Sequence, residues 1–149
     1  MRTAVTSALV VLLTACGGVF GADDEDPLRR TVIQFEVGAQ GSLDLDLRAD
    51  PPVIETREGG PVVPVTDLDA ARELRERLLD LPPETTDCPA TVEPLFAASV
   101  STFPRAQDAE LADLAHTHVG GPCSDISSDE VAALVDLWNR AGGDLPTDP

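Results

Sequence analysis

The sequence predicts an α+β domain: a small antiparallel sheet with two amphipathic helices packed on one of its faces. Two stretches have the alternation of half-buried strands. Thr31, Ile33, Phe35 and Val37 alternate with Val32, Gln34 and Glu36, and Leu43, Leu45 and Leu47 alternate with Asp44, Asp46 and Arg48. Two others repeat at three and four, the spacing of a helix face: Leu68, Ala71, Leu74, Leu78 and Leu81, then Val131, Leu134, Val135, Trp138 and Ala141.

Taken in order, the strand at residues 31–37 and the strand at 43–47 are joined by Gly38-Ala39-Gln40-Gly41 and should form a hairpin. Pro51-Pro52 interrupts. Val53-Ile54-Glu55 and Val62-Val63 then flank Arg57-Glu58-Gly59-Gly60 as a second, shorter hairpin, and Pro61 and Pro64 restrict its second arm to an edge. The first helix has Thr66 as its expected cap, with Asp69 completing a capping-box pattern. Arg72–Glu76 and Glu73–Arg77 are spaced four apart on its wet face, and Pro82-Pro83 stops it. Residues 92–103 are rich in Val, Phe, Ser and Thr and predict a strand, followed by a turn at Pro104-Arg105-Ala106-Gln107. Residues 109–119 fit helix in their first half and strand in His116-Thr117-His118-Val119, and are assigned as a returning strand. The last helix covers 129–141, with Ser127 and Glu130 as its capping box and Gly142-Gly143 as its end. Trp138, the single Trp, is expected to anchor the core rather than to serve as a ligand platform.

The beginning of the chain says where the domain works. Met1-Arg2-Thr3 precedes an apolar run from Ala4 to Leu13, shorter than the roughly 20 residues a membrane span requires. The run ends in Leu13-Thr14-Ala15-Cys16, which resembles the lipobox of bacterial lipoprotein signal peptides. The resemblance implies that residues 1–15 are removed and that Cys16 becomes the first mature residue. Its sulfur would carry a thioether-linked diacylglycerol, so acyl chains hold the protein to the outer face of the cell membrane. Two or more chains anchor stably, at about 0.8 kcal/mol per buried methylene.

The expected organisation follows: signal peptide 1–15, lipidated Cys16 and a flexible acidic tether over 16–30, one domain over 31–143, and a tail over 144–149. The tether includes Asp23-Asp24-Glu25-Asp26, which lacks the ligand spacing of a calcium loop. The chain has 27 acidic and 10 basic residues and a net charge of −17, which becomes −18 when Arg2 leaves with the signal peptide. Such a charge disfavours nucleic acid, whose phosphates need clustered basic residues. It also leaves the lipid, not the domain, to hold the protein to an anionic surface. All ten basic residues are Arg, and with abundant Ala, Asp and Pro this points to a high-GC actinobacterial source.

With Cys16 lipidated, Cys88 and Cys123 remain as an even pair in an oxidising compartment, and a disulfide between them is expected. Their midpoint, 105.5, falls in the turn at 104–107. Equal arms would bring the two Cα atoms within the roughly 7 Å a bridge requires. Closing that loop should contribute about 3–4 kcal/mol.

Candidate chemistry is sparse. His116 and His118 share a strand face and are weak candidates to grip a metal, with a third ligand needed from Asp113, Asp125 or the tether. Exposed strand histidines are the simpler reading, and no metal or other cofactor is expected. Neither Gly-x-Ser-x-Gly nor His-Glu-x-x-His occurs, the thiols are expected to be bridged, and no catalytic residues are assigned. The leading expectation is a non-catalytic binding module of the cell envelope, with a protein partner there and no enzyme activity.

A second resemblance supplies the alternative. Paired strands, a helix, and Cys88-Pro89-Ala90-Thr91 opening a hairpin that closes on Cys123 are similar to the subtilisin-inhibitor family of secreted actinobacterial proteins. The similarity covers about residues 31–123. It implies that Ala90 enters the protease S1 pocket, that Ala90–Thr91 is the scissile bond, and that Pro89, Ala90 and Thr91 form the protease-binding loop. The bridge would hold that loop rigid, so it would bind like substrate without leaving.

Overall fold

A computed structural model describes residues 26–37, 41–56, 59–82, 96–103, 113–119 and 126–146. Among the described residues, six strands form one antiparallel sheet: β1 (Thr31–Val37), β2 (Ser42–Asp46), β3 (Val53–Thr56), β4 (Val63–Pro64), β5 (Phe96–Thr102) and β6 (Asp113–Val119), in the spatial order β4-β3-β2-β1-β5-β6. Two helices accompany it, α1 (Leu68–Asp80) and α2 (Ser128–Ala141).

Alternation in the strands separates a core face from a polar face. On β1, Thr31, Ile33 and Phe35 are at most 1% exposed. The register lines them up with like neighbours: Ile33 opposite Leu45 and Val100, Leu45 opposite Ile54, and Phe35 opposite Ala98. The intervening row runs Glu55, Asp44, Gln34, Ser99 across four strands. A one-residue slip would exchange those two sets, so burial of one face fixes the register.

Both helices rest on the core face. Trp138 of α2, fully buried, meets Phe35 edge-on with ring centroids 4.6 Å apart at 62°. Arg75 of α1 reaches Thr31 and Thr102, two side chains on that same face. The helices are antiparallel, as ion pairs at their two ends show: Arg77 near the end of α1 with Glu130 at the start of α2 (3.3 Å), and Arg140 of α2 with Asp67 before α1 (3.5 Å). Each is a partly exposed pair worth at most about 1 kcal/mol. They fix the direction of packing more than its strength. Ala70, Ala71, Leu74 and Leu78 meet Val131, Leu134, Val135, Trp138 and Ala141 in one cluster with the sheet.

The cap of α1 is one residue later than the capping-box pattern suggests. Asp67 is the N-cap and accepts from the Ala70 amide at 2.9 Å. Thr66 is occupied elsewhere: its amide donates to the Ala141 carbonyl (2.9 Å) and its hydroxyl to the Arg140 carbonyl (3.2 Å), so it satisfies the open end of α2. Leu68 therefore sits at the first helical position, 45% exposed, and Ala70 takes its place in the buried stripe. Arg72 turns toward Asp69 (2.8 Å) and Asp26 (3.4 Å), while Arg77 makes the expected contact with Glu73. The α2 cap is as expected: Ser127 accepts from the Glu130 amide, and Gly142, at φ 118°, closes the helix in a conformation that favours glycine.

The folded part is longer at both ends than residues 31–143. Asp26 accepts from the Leu28 amide and starts a 3-10 turn, Pro27–Arg30, whose Leu28 is 5% exposed. Pro27 suits this position because its fixed φ is pre-set for a helical first turn. At the other end Leu145 joins the core, held by two bonds to Asn139: its amide donates to Oδ1 (2.7 Å) and its carbonyl accepts from Nδ2 (2.9 Å). Residues 109–119 resolve as strand where described. The β5–β6 register pairs Phe96 with Val119 and Thr102 with Asp113, so that hairpin centres between 107 and 108 rather than at 105.5. The equal-arm argument for the two cysteines therefore does not follow from the strand pairing.

Candidate functional site

Three of the expected sites fall outside the described residues: Cys16, the pair Cys88 and Cys123, and the loop Pro89, Ala90 and Thr91. His116 and His118 occupy positions on β6 in register with Ser99 and Ala97, and their side chains lie outside the description. Among the described residues no group of three or more His, Cys, Asp and Glu side chains comes together as a metal site.

What the fold does assemble is at the end of the sheet where the chain enters from the tether. Antiparallel pairing of β1 with both β2 and β5 brings three segments to one end. The Phe103 amide donates to the Arg30 carbonyl (2.9 Å) and the Leu47 amide to the Thr31 carbonyl (3.0 Å), so Arg30, Arg48 and Phe103 stand side by side. Arg30 donates through Nη1 to the Phe103 carbonyl at 2.8 Å. The Arg48 guanidinium lies 4.5 Å from the centre of the Phe103 ring, close enough for attraction between the cation and the ring quadrupole. Phe103 remains 37% exposed, Arg48 against its ring is exposed, and so is Arg29, the chain neighbour of Arg30.

Beneath this surface lies a polar knot. Arg75 donates from Nε to the Thr31 hydroxyl (3.2 Å) and from Nη2 to the Thr102 hydroxyl (3.1 Å). Thr31 donates onward to the Pro27 carbonyl at 2.8 Å, which leaves Thr102 as donor in the 3.3 Å contact between the two hydroxyls. Both hydroxyls of the knot thus have a defined direction, and the knot ties α1, β1, β5 and the 3-10 turn together. Such pairing is what lets Thr31 and Thr102 be fully buried.

The charges here are mutually arranged. Arg48 grips Asp46 with two bonds, Nε to Oδ1 at 2.9 Å and Nη2 to Oδ2 at 2.7 Å. That grip holds the Asp46 carboxyl below the usual carboxylate value, against the opposing effect of partial burial, and raises Arg48 in turn. Asp67, on the far side of the helix pair, is also lowered, first by the Ala70 amide and then by the Arg140 charge.

Chemically, the tether end offers guanidinium donors around an exposed aromatic ring, a surface suited to anionic groups next to apolar ones. Sequence reasoning had no signal for it, because Arg30, Arg48 and Phe103 are brought together only by the strand register. Comparison with known protein families, with characterised proteins and with solved structures finds no match for this chain.

Proposed function

We propose that the protein is a lipid-anchored lipoprotein on the outer face of the cell membrane, where it acts as a non-catalytic binding module for another envelope protein. The observation that carries this reading is Leu13-Thr14-Ala15-Cys16 placed after a short apolar run, with only nine residues, 17–25, between that cysteine and the first described residue, Asp26. A spacer of that length keeps a folded domain close to its anchor. A disulfide between Cys88 and Cys123 belongs to the same proposal, since the compartment would favour it.

The test is crosslinking in the producing cell. Wild-type protein should crosslink reproducibly to one or a few envelope proteins, and Cys16→Ser should release the chain from the membrane and lose those products. Crosslinks that persist unchanged in Cys16→Ser would remove the requirement for anchoring.

The second reading is inhibition of a subtilisin-type protease through Cys88-Pro89-Ala90-Thr91. It draws support from an antiparallel β5–β6 hairpin following α1, the order of elements in which that family carries its loop. Titration of a subtilisin-type protease separates the two readings. Tight inhibition with slow cleavage at Ala90–Thr91 supports the inhibitor, whereas no inhibition or rapid cutting elsewhere removes it.

A further inference from the structure

The net charge of −17 conceals an uneven distribution. Of the ten arginines, five (Arg29, Arg30, Arg48, Arg72 and Arg75) belong to the end of the sheet where the tether enters. Acids are present there too: Asp26 receives the Leu28 amide and Arg72, Asp69 also pairs with Arg72, and Asp46 is held by both arms of Arg48, which feels the charges of Glu55 and Asp44 as well. Phe103, one of four exposed large apolar side chains among the described residues, contacts both Arg30, through its carbonyl, and Arg48, through its ring.

We infer that this end, with Arg29, Arg30 and Arg48 around Phe103, faces and touches the anionic phospholipid headgroups of the bilayer that holds the acyl chains. The inference rests on the proposed lipid anchor. A coil of ten residues spans on average about 17 Å, so a lipid on Cys16 would by connectivity alone keep the chain's point of entry near the surface. The Arg29 guanidinium, and the nitrogens of Arg30 and Arg48 beyond those bonded to Phe103 and Asp46, supply donors that suit phosphate, and the ring supplies an apolar tip for the headgroup boundary. Asp23, Asp24 and Glu25 lie in the spacer and oppose the attraction. This end is therefore not a polybasic patch that recruits the protein; it orients a domain that the lipid already holds.

The test uses the full acylated chain, purified from membranes and placed in phosphatidylglycerol vesicles whose acyl chains carry bromine, which quenches nearby tryptophan. Two variants each add one reporter to the buried Trp138: Phe103→Trp at the tether end and Glu36→Trp at the opposite end of β1. Glu36 is exposed and six residues along from Arg30, a separation of about 20 Å. The expected result is at least twofold stronger quenching of the added emission in Phe103→Trp than in Glu36→Trp. That advantage should shrink by half or more in brominated phosphatidylcholine, or when Arg29→Gln is added. Vesicle flotation with equal quenching at both positions overturns the orientation and leaves the anchor intact. An advantage unchanged in phosphatidylcholine overturns the role of charge. Failure of the chain to float with vesicles overturns the anchor, and this inference with it.

Discussion

Replacing Trp138 by Ala tests whether the one indole of this chain is structural. The side chain is fully buried, and its ring meets Phe35 edge-on at 4.6 Å. An aromatic of this size buries about 150–250 Å², which at about 25 cal/mol per Å² corresponds to roughly 4–6 kcal/mol against an extended chain. A realistic denatured state reduces that figure, and measured Trp→Ala losses are about 3–5 kcal/mol. The edge-on pair should appear separately, as a coupling of about 0.5–1.5 kcal/mol between Trp138→Ala and Phe35→Ala in a double-mutant cycle. The assay is urea denaturation of the mature chain carrying Cys16→Ser, followed by circular dichroism because the mutation removes the fluorophore. Since a domain of this size has only about 5–15 kcal/mol of stability, the single variant should remain folded with a much lower midpoint. A loss below about 1 kcal/mol, or wild-type emission at the wavelength of a water-exposed indole, would refute the packing argument. It would also return Trp138 to the list of ligand platforms.

Other outcomes follow from the same geometry. A Cβ at Gly143 would overlap the Trp138 indole, so Gly143→Ala should destabilise by about 1–3 kcal/mol in urea denaturation. Asn139→Ala removes both bonds to Leu145; it should cost about 1–3 kcal/mol and speed hydrogen exchange at the Leu145 amide. Ser127→Ala should cost about 0.5–2 kcal/mol through loss of the α2 cap, whereas Thr66→Ala should leave the start of α1 intact and loosen the end of α2, as read by exchange at the two helix ends. Asp46 and Asp67 both titrate below the ordinary carboxylate value of 3.8 in the folded state. Each therefore contributes stability that is fully present above that value and is lost as pH falls through the lowered one. The double variant Asp46→Asn, Asp67→Asn should flatten the acid limb of the stability curve below pH about 4, and an unchanged limb would contradict the assignment.

How much of this was readable beforehand depended on whether the determining contact was local. The alternation in Thr31–Val37 and Leu43–Leu47 located β1 and β2 because a strand with one wet face needs that pattern and little else. The stripe of α2 and its Ser127 cap were equally direct. The cap of α1 was misplaced because Thr66 and Asp67 are both good caps. The choice between them is made by α2, whose last carbonyls take Thr66 from 74 and 75 residues away. Leu68 lost its core position for the same reason. The folding of residues 26–30 was hidden because the acidic run around Asp26 resembles any solvated spacer, and only Arg72 and the Leu28 amide distinguish its last member. Symmetry about 105.5 misjudged the β5–β6 hairpin because nothing requires two cysteines to be equidistant from a turn. The tether-end surface was not legible at all. Its members are 18 and 55 residues apart and become neighbours only after two strand pairings have formed.

The proposed anchor depends on Cys16, and one measurement addresses it directly: the intact mass and first residue of the mature protein isolated from the membranes of the producing cell. The proposed function predicts a chain that begins at Cys16 and carries the mass of a thioether-linked diacylglycerol, with a further acyl chain where the amino group is modified. It should partition into the detergent phase, and Cys16→Ser should not. A mature chain that begins at another residue, or that begins at Cys16 without added mass and stays in the aqueous phase, would contradict the anchor and the orientation built on it.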